Sequence, residues 1–264
     1  MSKILNSKVE ELAESLLKAE SSRQAIKPIT VTEPSLSLDD AYEIQLKNIQ
    51  EKQATGDFVS GKKIGLTSHA MQQLLGVDQP DYGHLLSSME YKNGDSIPMI
   101  KLLQPKIEAE IAFVLKRDLK GPHVTSLDVL LATEHIVPAF EIVDSRIRDW
   151  KITIEDTVAD NASSGLYVLG ENYFEPHEID LANMGMSLYR NGNLVNTGVG
   201  SAVLGHPATC VAWLANKLAG YGISLKTGEI ILSGALSAAV EIKPGDEFMA
   251  RFGHMGEVKV NFAM

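Results

Sequence analysis

The segment at residues 106–115, which reads KIEAEIAFVL, decides the fold expected for this 264-residue chain. Side chains alternate between the two faces of a β-strand, so Glu108 and Glu110 point to one face and the residues between them to the other. Ala112 and Val114 continue the glutamate face as apolar residues, although a water-facing strand normally stays polar on that face. The pattern therefore predicts a buried strand that carries two carboxylates about 7 Å apart.

Outward from this strand, apolar and alternating segments predict further strands. They span residues 137–143, 165–170, 186–189, 194–197, 229–233, 247–252 and 257–262. The dipeptide Asn191-Gly192 separates two of them and is a typical two-residue hairpin turn. Helices are predicted at 125–134, beginning at Thr125, and at 207–218. Strands of this number, without regular alternation with helices, indicate an α+β fold.

The N-terminal part has a different pattern. Apolar residues recur at helical spacing over residues 5–16, and Ser37 followed by Asp40 is a capping-box pattern that opens a second helix. We therefore predict an N-terminal helical region at 1–55, serving as a cap or in oligomerisation, and a β-rich catalytic domain at 56–264.

Charge and composition limit the partners. Asp and Glu number 34 against 24 Lys and Arg, a formal net charge of −10, and no basic cluster is present, so nucleic acid and anionic membranes are not expected partners. No apolar run reaches a membrane span and residues 1–20 do not resemble a signal peptide, so a cytoplasmic location is expected. The amphipathic N-terminal helix and the 44% apolar content predict a symmetric homo-oligomer. Cys210 is interpreted as core packing rather than a nucleophile.

Buried carboxylates at Glu108 and Glu110 would each lose several kcal/mol of hydration unless a cation compensates them. A third acid, Glu141, lies in the apolar segment VPAFEIV, and Asp144 is a nearby alternative. Hard divalent cations prefer carboxylate oxygens, and the histidines show no zinc-type spacing, so the residues predict Mg²⁺ or Mn²⁺. Two alternatives stay open: a water-facing strand that binds no metal, and a cation that only stabilises the structure.

Two adjacent lysines and a turn are candidates for acid–base chemistry. The segment GKKIGLTS sends Lys62 and Lys63 to opposite sides of a strand, so one of them can point into a site while the alternative is two solvated lysines. In GVDQPDYG, a turn at Pro80, Asp81 and Gly83 places Asp78 or Asp81 where a carboxylate can orient a lysine or a water molecule. The polar DNAS segment at 160–163 precedes an apolar strand and is a candidate substrate loop.

Taken in order, these segments resemble a known family. GKKIGLTS, GVDQPDYG, QPKIEAEIAFVLKRDL, PAFEIVDSRIRDW and DTVADNASSGLYVLG follow one another as in the 2-hydroxypenta-2,4-dienoate hydratases, also called 2-keto-4-pentenoate hydratases, of the fumarylacetoacetate hydrolase superfamily. The resemblance continues through GSAVLGHPATCVAWLANKLAGYG and GEIILSG and so covers nearly the whole chain. The related 4-oxalocrotonate decarboxylases share most of these positions.

The resemblance implies a mixed β-sheet roll with an N-terminal helical region. It assigns the metal ligands to Glu108, Glu110 and Glu141. It assigns catalytic roles to Lys63 and Asp81. Substrate binding falls on Ser163 of the DNAS segment, together with Thr67 and Asn161.

The implied reaction is metal-dependent addition of water to 2-hydroxypenta-2,4-dienoate, giving 4-hydroxy-2-oxopentanoate in meta-cleavage catabolism of aromatic compounds. The alternative is a carboxy-lyase, 4-oxalocrotonate decarboxylase, which uses the same metal-dienolate chemistry to expel CO₂. A second carboxylate on such a substrate would be met by Arg146, Arg148, a lysine or backbone amides. The resemblance leaves open a complex with the partner enzyme of the same pathway.

Overall fold

The structure, a computed structural model, describes residues 4–68, 72–73 and 76–264. Its α-helices in these ranges are α1 (Asn6–Ser22), α2 (Ile29–Thr32), α3 (Leu38–Ala54), α4 (Ser126–Ala132), α5 (Ile154–Ala159) and α6 (Pro207–Ala219). The strands are β1 (Val59–Gly65), β2 (Asp81–Leu86), β3 (Glu90–Lys92), β4 (Ser96–Pro98), β5 (Pro105–Leu115), β6 (Thr133–Asp144), β7 (Ser164–Leu169), β8 (Gly185–Arg190), β9 (Asn193–Val199), β10 (Ile230–Leu232), β11 (Val240–Glu241), β12 (Glu247–Phe252) and β13 (Gly256–Ala263).

The described strands form two sheets. The larger has the order β2-β1-β10-β5-β6-β7-β3, with β11 also pairing with β5, and the smaller has the order β4-β13-β12-β8-β9. The pairs β1–β10, β3–β7 and β4–β13 are parallel and the other pairs are antiparallel. The predicted α+β fold with a mixed, curled sheet is confirmed.

β5, which contains the segment at 106–115, is an interior strand of the larger sheet. β5 pairs with β6 from Pro105 to Leu115, with β10 and β11 on its other edge, and most of its side chains are buried on both faces. The water-facing alternative for this strand is therefore wrong. β6 begins at Thr133, so the helix predicted at 125–134 ends two residues early, because pairing with β5 continues to that point.

The structure contains the helix cap, the hairpin turn and the buried cysteine that the sequence predicts. Ser37 and Asp40 form the predicted capping box of α3, an arrangement that contributes about 1 kcal/mol to helix stability. Asn191 and Gly192 join β8 to β9 and both have a positive φ, as a two-residue hairpin requires. Cys210 is fully buried in α6, in keeping with its interpretation as core packing.

The N-terminal helices share the core of the sheet. Buried residues of α1 and α3, such as Leu12 and Ile44, belong to the same apolar cluster as Ile107 and Ile111 of β5. Helices α1–α3 lie within residues 1–55 and the first strand begins at Val59, while the role of this region as a cap or oligomerisation element stays a prediction. None of the helices in the described residues has the length and apolar character that a membrane crossing requires.

Candidate metal and substrate site

Three glutamates meet on one face of the larger sheet. Glu108 of β5 pairs directly with Glu141 of β6, and Glu110 lies two residues further along β5 on the same face. One carboxylate oxygen from each lies within 4.8 Å of the others. Glu110 and Glu141 are fully buried, and Glu108 is partly buried. The predicted metal ligands therefore come together, as the strand register requires.

The glutamate oxygens fit a hard divalent cation. Glu110 Oε2 accepts a hydrogen bond from the backbone N–H of Gly234 at 2.8 Å. Glu110 Oε1 and Glu141 Oε2 are buried without a hydrogen-bond partner among the described residues. An uncompensated buried carboxylate costs several kcal/mol, whereas carboxylate oxygens are the preferred ligands of Mg²⁺ and Mn²⁺.

Burial also changes the acidity of these groups. It raises the pKa of Glu108 and Glu110, and at Glu110 repulsion from the neighbouring glutamates adds to the effect. Burial raises the pKa of Glu141 to about 7, although the nearby Lys63 opposes the shift. Carboxylates with raised pKa values gain from a positive charge placed among them, which again favours a cation.

Lys63, rather than Lys62, faces the glutamates. Lys63 Nζ lies 3.2 Å from Glu141 Oε1 and donates a hydrogen bond to the carbonyl oxygen of Ala162 at 2.9 Å. Lys62 points to the other side of β1, where it forms a buried ion pair of 2.5 Å with Glu229. Neither lysine is solvated, because each is at most 4% exposed.

The charge of Lys63 is set by two opposing effects. Burial alone lowers the pKa of an ammonium group, but the surrounding carboxylates, with Glu141 foremost, outweigh burial and raise the pKa of Lys63 above its ordinary value.

Asp81, the first residue of β2, lies beside Lys63. An ideal Cβ built on Gly65 would lie 2.3 Å from Asp81 Oδ1 and 3.1 Å from Lys63 Nζ, so the glycine leaves room for both groups. Thr157 of α5 donates a hydrogen bond from its hydroxyl to Asp81 Oδ2 at 2.9 Å. Burial raises the pKa of Asp81, against the opposing effects of Lys63 and Thr157. Asp78, the alternative acid, is exposed.

The DNAS segment adopts an unusual backbone. Asn161, Ala162 and Ser163 all have left-handed φ values, of 54°, 49° and 54°. Such values are uncommon outside glycine and disfavoured for alanine, so three in succession are held by their surroundings. The turn presents the Ala162 carbonyl to Lys63 and leaves the buried Ser163 hydroxyl without a partner among the described residues.

The two other predicted substrate-binding residues make protein contacts. The Asn161 amide donates to the backbone oxygen of His84 at 2.9 Å and accepts from its N–H at 2.7 Å, so it joins the turn to β2. Thr67 is buried against Gly234, whose φ is +112° and where a Cβ would lie 2.2 Å from Thr67 Oγ1. Contact of Asn161 or Thr67 with substrate stays a prediction.

Several sequence-level alternatives are resolved by these contacts. Asp144 accepts backbone hydrogen bonds from Leu103 and Gln104 and does not join the glutamates. The guanidinium of Arg146 donates hydrogen bonds to Asp160 Oδ1 at 2.6 Å and to the backbone carbonyls of Asp144 and Ser164. The arginine therefore acts within the protein rather than offering a free group to a ligand.

Two contributors to the site were missed in the sequence. Gly234 supplies the N–H that holds Glu110, and Thr157 supplies the hydroxyl that holds Asp81. Gly234 follows the predicted strand 229–233, so a glycine at a strand end was the available signal. Nothing in the sequence separates Thr157 from an ordinary helix residue.

Comparison with known proteins places this geometry in a family. The profile of the fumarylacetoacetate (FAA) hydrolase C-terminal family matches residues 65–263. The chain is 48% identical over 256 residues to a 2-hydroxyhexa-2,4-dienoate hydratase of Comamonas testosteroni, covering 96% of this chain and 97% of that protein. It is 49% identical over 253 residues to a 2-keto-4-pentenoate hydratase of Paraburkholderia xenovorans, and the match covers 96% of this chain and 94% of that protein.

Among solved structures, the chain is similar to 4-oxalocrotonate decarboxylase from Pseudomonas putida G7, complexed with magnesium and adipate. The TM-score is 0.96 at 37% sequence identity, and the match covers 99% of this chain and 100% of that one. The sequence matches and the structural match thus each cover nearly the whole chain. The protein belongs to the 2-keto-4-pentenoate hydratase family of the fumarylacetoacetate hydrolase superfamily.

Proposed function

We propose that this protein is a hydro-lyase that adds water to 2-hydroxypenta-2,4-dienoate, the enol form of 2-oxopent-4-enoate, to give 4-hydroxy-2-oxopentanoate in the meta-cleavage catabolism of aromatic compounds. The observation that carries the proposal is the cluster of Glu108, Glu110 and Glu141, of which the last two are fully buried, beside the buried ammonium group of Lys63. Support comes from the hydratase relatives, which match almost end to end at 48–49% identity.

The cofactor in this proposal is Mg²⁺ or Mn²⁺ held by Glu108, Glu110 and Glu141. The two orphaned carboxylate oxygens support it, as does the magnesium in the similar decarboxylase structure. When bound, a hard divalent cation supplies a Lewis acid for the carboxylate and C2 oxygens of a 2-oxo acid.

Lys63 and Asp81 carry the proton transfers in this proposal. Lys63 is held between Glu141 and the Ala162 carbonyl, and in this proposal that fixed position makes it the donor that protonates substrate carbon. Asp81 has a raised pKa and a fixed orientation, so it accepts the proton of the water that adds at C4. Positioned acid–base groups of this kind typically contribute about 10²- to 10⁴-fold to the rate.

Ser163, Thr67 and Asn161 complete the proposed site as substrate-binding residues. The Ser163 hydroxyl is buried and has no partner among the described residues, so it is available to a substrate carboxylate or to water. Thr67 bounds the site beside Gly234, and Asn161 holds the turn that carries Ser163.

Decarboxylation of 4-oxalocrotonate is the alternative activity, because the decarboxylase structure superposes so fully. That substrate has a second carboxylate, and the donors of Arg146 are already used on Asp160 and on backbone carbonyls. Arg146 is therefore not available to that carboxylate, which leaves Arg148, a lysine or backbone amides as its partners. The hydratase is preferred because the relatives at 48–49% identity are hydratases.

A substrate comparison tests the proposal. The purified protein with Mg²⁺ or Mn²⁺ is mixed with 2-hydroxypenta-2,4-dienoate or with 4-oxalocrotonate, and products are identified by NMR and by CO₂ release. We expect 4-hydroxy-2-oxopentanoate from the first substrate and little CO₂ from the second. Faster CO₂ release than hydration would identify a decarboxylase, and no turnover of either substrate would refute both assignments.

We further propose that the chain forms a symmetric homo-oligomer, with or without the partner enzyme of its pathway. Large apolar side chains at the surface support this assembly, among them Leu5, Phe58, Ile100 and Leu127, each more than 60% exposed.

A further inference from the structure

Gln45 is a fully buried amide that lies in α3, outside the predicted catalytic domain. Its Nε2 donates hydrogen bonds to the backbone oxygens of Tyr82 at 3.0 Å and Val158 at 2.6 Å. Its Oε1 lies 2.8 Å from Nδ1 of His84. All the described polar contacts of this side chain are therefore with β2 and α5.

The orientation of the Gln45 amide follows from its partners. Backbone oxygens only accept hydrogen bonds, so the NH₂ group must face the carbonyls of Tyr82 and Val158, and Oε1 must face His84. Burial, together with the nearby Lys62, lowers the pKa of His84 to about 3, so its ring is neutral and donates to Gln45 through Nδ1–H.

The two carbonyls held by Gln45 are next to the Asp81–Thr157 hydrogen bond. Tyr82 follows Asp81 on β2, and Val158 follows Thr157 on α5. The Thr157 hydroxyl donates to Asp81 Oδ2 at 2.9 Å, so one amide fixes the distance between the two backbones that this hydrogen bond spans.

We infer that Gln45 is a positioning residue for Asp81, and that it acts by keeping Thr157 within hydrogen-bond distance of the Asp81 carboxylate. The inference rests on the proposed function, in which Asp81 transfers a proton. It makes helix α3 of the N-terminal region part of the catalytic apparatus, in addition to any part it has as a cap or in assembly.

Loss of the amide would disturb a buried network rather than a surface contact. With Gln45 changed to Met, which has a similar length and no donor, the carbonyls of Tyr82 and Val158 lose the hydrogen bonds from its NH₂ group. Buried polar groups without partners favour rearrangement, and a displacement of about 1 Å at a reacting group can lower a rate by about 100-fold.

The first experiment compares Gln45→Met with Gln50→Met, the same substitution at an exposed position of α3. We expect Gln45→Met to lower kcat by about 10- to 100-fold while KM and the Kd for Mg²⁺ stay within about twofold. Gln50→Met should leave all three unchanged. An unchanged kcat in folded Gln45→Met would overturn the inference, as would equal losses in kcat and metal affinity.

A global loss of stability is separated from positioning by a second control. Ser37→Ala removes the capping box of α3 and lowers the unfolding midpoint without touching β2 or α5. We expect kcat of this variant to stay unchanged. If Ser37→Ala lowers kcat as much as Gln45→Met does, stability rather than positioning explains the effect. Should Gln45→Met not fold, Gln45→Glu keeps the size and the acceptor, and the same kcat loss is expected of it.

A double-mutant cycle tests the route through Thr157. Thr157→Val removes the hydroxyl and Thr157→Ser keeps it, so we expect the valine variant to lower kcat and the serine variant to restore most of it. Adding Gln45→Met to Thr157→Val should change kcat by less than about twofold, because the hydrogen bond that Gln45 protects is already gone. Fully multiplicative losses would contradict the inference.

The positioning role of Gln45 can be tested even if the proposed function is wrong. If the wild-type protein does not hydrate the dienoate, amide hydrogen exchange still tests positioning. We expect faster exchange at residues 157–163 in Gln45→Met than in Gln50→Met. Equal exchange in the two variants would overturn the positioning role on structural grounds alone.

Discussion

Changing Glu110 to Gln is expected to weaken Mg²⁺ or Mn²⁺ binding by about 100-fold or more, since loss of a group that only supports a ligand already costs about 10- to 100-fold. Glu110 Oε2 is held by the N–H of Gly234, and Oε1 has no described partner, so the carboxylate is fixed with one oxygen open. The amide keeps the shape and removes the charge. Isothermal titration calorimetry measures the affinity, and turnover of the dienoate is recorded at rising metal concentration.

Glu134→Gln is the matched control. Glu134 is an exposed glutamate near the start of β6, at the opposite end of that strand from Glu141. It should leave metal affinity and turnover unchanged. Wild-type metal affinity in Glu110→Gln would show that this glutamate is not a ligand. The site would then have to be built on the remaining acids.

Lys63→Ala is expected to lower kcat by about 10²- to 10⁴-fold, as loss of a general acid or base does, while the metal stays bound. The ammonium of Lys63 lies 3.2 Å from Glu141 but is not one of the three proposed metal ligands, which are carboxylates. Single-turnover kinetics and metal titration on the same preparation separate the two effects.

The adjacent lysine is the control. Lys62→Met breaks the buried pair with Glu229, which typically costs about 3–5 kcal/mol of stability, but Lys62 lies on the other side of β1. We expect a lower unfolding midpoint for that variant and a kcat within a few fold of wild type. If the large kcat loss appears in Lys62→Met instead, the assignment of Lys63 is wrong. If neither variant loses turnover, proton transfer rests on Asp81.

The common face of the two glutamates on β5 was predictable, because side chains alternate along a strand, whereas the pairing of Glu108 with Glu141 was not. Glu108 and Glu110 had to share a face, and the apolar residues around Glu141 indicated a second buried strand. What the alternation does not give is which face of the sheet the site occupies. Lys62 and Lys63 are equivalent in pattern, and only the distant partner Glu229 shows which of them is structural.

Other elements depend on contacts remote in sequence. The QPDYG segment has the letters of a turn, but strand β2 begins at its aspartate because Asp81–Leu86 pairs with β1. Gly83 is required there, since a Cβ would lie 2.4 Å from the Asn161 carbonyl. The left-handed turn at 161–163 could not be predicted from the sequence either, because alanine does not favour that conformation, and contacts with β1 and β2 help to hold it.

Hydration of the dienoate is expected to require a divalent cation on Glu108, Glu110 and Glu141. The most direct measurement follows metal content and turnover in one sample, through chelation and then titration with Mg²⁺ or Mn²⁺. We predict that activity disappears as the metal is removed and returns in proportion to the added ion, with saturation at one ion per chain. Full activity in protein that elemental analysis shows to be free of metal would mean that hydration does not need the cation.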